Sequence, residues 1–123
     1  MQSPKLIVFA SGTKDGGGSG FENLVLSTRG DAAILQADIV AVVSNHQWGG
    51  VYERAKRLGV PFEYMQAPYT ALAYADIVTK HHAEWVALSG WLKKTTGLNP
   101  QCTFNIHPAP LFDLDGRFGG PGM

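Results

Sequence analysis

The 123-residue chain is long enough to bury one core, and its ten basic and ten acidic side chains give zero formal charge with no run of Lys or Arg. That balance excludes the positive face on which nucleic acid or an anionic membrane would sit. A single cysteine, Cys102, excludes an internal disulfide and a cysteine-rich metal site; the apolar run Leu6 to Ala10 is too short for a signal-peptide core, and nothing approaches a membrane span, so the expectation is a single-domain cytoplasmic protein.

Lys5 to Ala10 reads as a strand buried on both faces, rich in branched and aromatic residues and stopped by Ser11-Gly12. A glycine-rich stretch, Gly12 to Gly20, leads into Phe21, Leu24, Val25 and Thr28 at helical spacing. Ser19 with Glu22 has the form of a capping box, so the spacing predicts a helix from about Ser19 to before Gly30. Loop amides and the positive end of that helix would converge on one point, which suits a phosphate. It is a poor dinucleotide fingerprint, because the third glycine position falls on Asn23 and the second strand, Asp38 to Val43, ends in Ser44-Asn45 without a ribose-binding acid.

Gly49-Gly50 opens a second helix closed by Gly59, and Val60 to Tyr64 reads as a third strand. Pro68 is expected to open a third helix, with Ala71, Tyr74, Ala75 and Val78 on one face, up to Lys80-His81-His82. Adjacent histidines do not share a helix face, and no third ligand is spaced to join them, so no metal is expected there. Glu84 to Leu88 is a fourth strand, Trp91 to Lys94 the start of a turn or short helix, and Thr103 to Ile106 a fifth strand. Strands alternating with helices predict a doubly wound, Rossmann-like parallel sheet, most simply in the order 3-2-1-4-5, with ligands beyond the strands' carboxyl ends near the switch between strands one and four.

The fifth strand runs into Asn105-Ile106-His107-Pro108. Side chains two apart on a strand point the same way, so Asn105 and His107 can share one site, a carboxamide donor beside an imidazole that titrates near neutrality. That pair suits a reaction in which charge grows on a carbonyl oxygen while a proton changes hands.

With Gly18-Ser19-Gly20 through Asn23-Leu24, Ser44-Asn45 and Gly90-Trp91-Leu92-Lys93, this motif resembles phosphoribosylglycinamide formyltransferase, of the formyltransferase superfamily. The resemblance spans almost the whole chain but only the N-terminal part of the family. It implies transfer of a formyl group from 10-formyltetrahydrofolate, a co-substrate, to the amine of glycinamide ribonucleotide in purine biosynthesis, without a metal. By the same resemblance Asn105 and His107 are catalytic, Gly18, Ser19, Gly20, Phe21 and Asn23 hold the substrate phosphate, and Gly90, Trp91, Leu92 and Lys93 border substrate or folate.

The sequence departs from the family in its longer glycine loop, in Lys93 where the family has Arg, and in Ala109-Pro110-Leu111-Phe112 after the His-Pro. The family's catalytic Asp lies in a segment well beyond Asn-Ile-His-Pro, whereas Asp113 and Asp115 come too early to match it. The expectation is therefore a fragment ending in a loop at about 111–123, weakly active alone and able to self-associate through the fifth-strand edge. Other readings are a sugar or methionyl-tRNA formyltransferase, a formyltetrahydrofolate deformylase, or a phosphate-binding module without catalysis.

Overall fold

The computed structural model describes residues 3–29 and 35–106. Its central strand, β1 (Lys5–Phe9), pairs in parallel with β2 (Asp38–Ser44) on one side and β4 (Trp85–Ser89) on the other. β3 (Phe62–Tyr64) adds beyond β2 and β5 (Thr103–Ile106) beyond β4, giving the order 3-2-1-4-5 that the sequence predicts. Among the described residues three helices join β1 through β4 in turn: α1 (Ser19–Ser27), α2 (Gly50–Leu58) and α3 (Ala71–Lys80).

Strand alternation divides the core between the two faces. Leu6, Val8 and Ala10 pack with Phe21 and Val25 of α1 and Val51 and Ala55 of α2. Ile7 and Phe9 point the other way, to Met65 and to Tyr74 of α3. A strand covered on both faces has no polar position to spare, which is why β1 reads as an unbroken apolar run. Among the described residues no helix is long and apolar enough to cross a membrane.

α1 begins at Ser19 as the sequence predicts but with a different cap, and the starts of α3 and β3 fall later than predicted, each for a local reason. Ser19 does not cap α1. Gly18 does, in the left-handed region at φ 88°, and there is no side-chain cap; Glu22 turns outward to Arg54 and Arg57 of α2, whose guanidinium groups are its partners. α3 begins at Ala71 and not at Pro68, because the Thr70 hydroxyl accepts from the Ala73 amide at 3.1 Å and sets the start. β3 starts at Phe62: Val60 is still bonded back to Ala55 O as the chain leaves α2 through Gly59 at φ 74°.

Candidate active site

The glycine-rich loop after β1 is folded onto the start of α2. Thr13 N donates to Gly16 O at 2.8 Å, Gly50 N to Thr13 O at 3.1 Å, and Arg54 Nε to Gly17 O at 2.8 Å. A Cβ at Gly50 would lie 2.1 Å from Gly16 O, and one at Gly49 2.4 Å from Thr13 O, so the two backbones meet without side chains between them. These contacts make the loop a fixed support for the start of α1. The first bond of that helix is Glu22 N to Gly18 O at 3.1 Å, and the amides of Ser19, Gly20 and Phe21 have no partner among the described residues. Three aligned donors and the helix dipole give this point a partial positive charge.

Sequence reasoning used Ser11, Ser44 and Ser89 only as strand endings and gave their side chains no role; all three are buried, at the carboxyl ends of β1, β2 and β4. Their signal is that each is the first polar residue after an apolar run. Ser44 Oγ donates to Ser11 O at 2.9 Å and accepts from His46 N at 3.1 Å, and Ser11 Oγ accepts from Leu92 N at 2.9 Å. Ser11 N also donates to Gly90 O at 3.2 Å. The sheet edge is thereby tied to the turn after β4. Nearby, Asn45 Oδ1 is buried without a partner among the described residues.

In that turn Gly90 takes φ 67°, a conformation that disfavours any side chain. Trp91 points inward: its indole Nε1 donates to Tyr74 Oη at 3.0 Å, the Tyr74 hydroxyl donates to Lys94 O at 2.6 Å, and the ring meets Phe9 edge-on at 5.3 Å. Burial pushes the Tyr74 hydroxyl above its ordinary pKa; the Trp91 bond offsets part of this and Tyr69 adds to it. With Trp91 as anchor, Leu92 is left 79% exposed and the Lys93 ammonium lies 5.6 Å over the Tyr69 ring. Of the residues assigned to the phosphate, Ser19 and Asn23 are exposed, whereas the Phe21 ring is fully buried and can offer a ligand only its amide.

Asn105 is exposed in β5, opposite Leu88, and lines a recess of about 330 Å³ with Leu88, Thr103, Pro100 and the 95–98 turn. Leu88 packs toward α3, so Asn105 opens on the α3 face while the start of α1 lies on the other. The two come together only over the carboxyl edge. Ser89 is in register with Ile106, and strand spacing puts the Asn105 backbone about 6 Å from that of Ser89. His107 lies outside the described residues, and with it the pairing of His107 and Asn105. Among the described residues no group of three or more His, Cys, Asp or Glu could hold a metal; His81 Nε2 lies 3.1 Å from Glu63 Oε1, which Lys80 also contacts at 3.0 Å.

The sheet order and the layering of helices on both its faces are those of the formyltransferase fold. Among solved structures the chain is similar to glycinamide ribonucleotide transformylase 1 from Geobacillus kaustophilus, at 25% identity and a TM-score of 0.64 over 80% of this chain and 51% of that one. It is also similar to phosphoribosylglycinamide formyltransferase from Brucella melitensis (20% identity, TM-score 0.71, 94% of this chain and 62% of that one). A third similar structure is a formyltetrahydrofolate deformylase from Pseudomonas putida KT2440 (22% identity, TM-score 0.62, 81% and 34%). The chain thus spans about half the length of the transformylase structures it matches. No protein-family model and no curated protein sequence matches it.

Proposed function

We propose that the chain binds glycinamide ribonucleotide and transfers to its amine the formyl group of 10-formyltetrahydrofolate. The observation that carries this reading is the first turn of α1: three amides without partners among the described residues, held by a backbone-packed loop at the switch between β1 and β4. The phosphate takes those amides, with the Ser19 and Asn23 side chains beside it, and the ribose crosses the sheet edge above Ser89 toward Asn105. The folate lies along the exposed Leu92 and Lys93.

The amine lone pair attacks the formyl carbon and a C–N bond forms. The carbonyl oxygen becomes an oxyanion, to which the Asn105 carboxamide donates a hydrogen bond that strengthens as charge grows. The bond from that carbon to folate N10 then breaks, N10 gains a proton and the substrate nitrogen loses one; the resemblance gives His107 this transfer. The two-sided placement fits the order of parts in the substrate, phosphate at one end and amine at the other.

Calorimetric titration with glycinamide ribonucleotide, AMP, NAD and FMN tests the reading. Preference for the first, with formylated product on adding 10-formyltetrahydrofolate, is the expected outcome; preference for any of the others refutes it. The deformylase neighbour favours one rival, in which water replaces the amine. That rival predicts formate release from the folate and no affinity for the ribonucleotide.

A further inference from the structure

Beneath the first turn of α1 lies a hydroxyl without a hydrogen-bond partner among the described residues. Ser89 ends β4 on the same face as Trp85 and Ala87, toward α1, and is only 6% exposed. A Cβ built on Gly20 would lie 2.5 Å from Ser89 Oγ, so this hydroxyl occupies the space that any side chain at position 20 would fill. Buried hydroxyls are normally hydrogen-bonded, and Ser11 and Ser44 on the same sheet edge both are. Ser89 Oγ makes no hydrogen bond to any described residue. The amides of the first turn of α1, which includes Gly20, are themselves donors without partners among the described residues, so what those residues do not supply here is an acceptor.

We infer that the Ser89 hydroxyl is a substrate-binding donor: it completes the cradle at the start of α1 by donating to an oxygen of a phosphate monoester held there by the amides of Ser19, Gly20 and Phe21. This rests on the reading of α1 as the phosphate site and adds a side chain from a different strand to it. It also gives position 20 a reason to be glycine, since only glycine lets the strand-borne hydroxyl reach the helix amides. A hydroxyl adapts its donor direction by rotation, so it can follow the anion without a change in backbone.

The test is a ³¹P NMR titration with ribose 5-phosphate, on the chain as it stands and on Ser89→Ala, Gly20→Ala and the double variant, with thermal melts alongside. One hydrogen bond to a charged group corresponds to about tenfold in affinity, so Ser89→Ala is expected to bind roughly tenfold more weakly at an unchanged melting temperature. Gly20→Ala pushes the hydroxyl aside and should weaken binding similarly, but should add little in the Ser89→Ala background. Unchanged affinity in Ser89→Ala overturns the assignment and leaves the helix site standing. If Ser89→Ala proves unstable, a Gly20→Ala chain that binds as tightly as the unsubstituted one overturns it equally. Absence of ribose 5-phosphate binding by the unsubstituted chain removes the phosphate reading and this inference together.

Discussion

Gly50 and Trp91 each hold a loop in place, one by having no side chain and the other by having the largest. Gly50→Ala sets a methyl against Gly16 O and is expected to cost about 1–3 kcal/mol, seen as a lower urea midpoint at unchanged slope. Phosphate affinity should fall with it, because the same contact supports the start of α1; a variant as stable as the unsubstituted chain would mean the loop does not rest there. Trp91→Ala empties the half-buried space between Phe9, Tyr69 and Tyr74 and is expected to cost toward the lower end of the ~3–5 kcal/mol typical of buried Trp, measured by chemical denaturation. On the proposed mechanism Asn105→Ala removes the carboxamide donor from the oxyanion, and formyl transfer should drop by about 10²–10³ with little change in ribonucleotide affinity. Equal loss of both would make Asn105 a substrate-binding group. The sequence marks Asn105 as chemically useful through its neighbours, but it cannot say that Trp91 faces inward, because a turn has no periodicity from which direction can be read.

The strands were legible as apolar runs closed by Gly, Ser or Pro, and their observed bounds differ from the expected ones by a residue or two. Helix starts were less legible. Ser19 and Glu22 have the right spacing for a capping box, yet the left-handed Gly18 sets the backbone and frees Glu22 for another use. That use is a clasp between α1 and α2, in which Glu22 meets Arg57 at 2.5 Å and also pairs with Arg54. The Arg57 hydrogen bond leads in holding the Glu22 carboxyl below its ordinary value of 4.5, against some burial and with help from Arg54. At Glu63, burial pulls the other way, but the hydrogen bonds from Lys80 and His81 together leave the carboxyl lowered as well. Both groups are lowered by folding, so their stabilisation is fully present above pH 4.5 and is lost as pH falls through their folded values. Urea midpoints should therefore decline on acidification below about pH 4.5, and less steeply in Glu22→Gln. An identical decline in that variant would show that the clasp has no part in acid sensitivity.

For the whole molecule, the strand order followed from alternation and handedness alone, but the face on which Asn105 opens did not. A period of two relates Asn105 to its neighbours in the strand and says nothing of which helices cover that side. β5 pairs only with β4 among the described residues, carries no charge, and borders an apolar recess of about 250 Å³ where Phe104, 49% exposed, stacks on Trp85. An uncharged edge beside an apolar hollow invites pairing with a second copy. Sedimentation velocity is expected to show concentration-dependent self-association that Phe104→Lys weakens at least tenfold; a monomer at all concentrations would remove the idea. The central place of β1 also governs how the chain can fold. Lys5 N is bonded to the Glu84 carboxylate and Lys5 O accepts from Glu84 N, groups 79 positions apart. β1 thus has to wait for β4 before its second edge is closed, an interval of about 4–16 s at ~5–20 residues per second on the ribosome. Throughout that time β1 is paired on one edge only, which makes slow, long-range closure the expected limit on refolding.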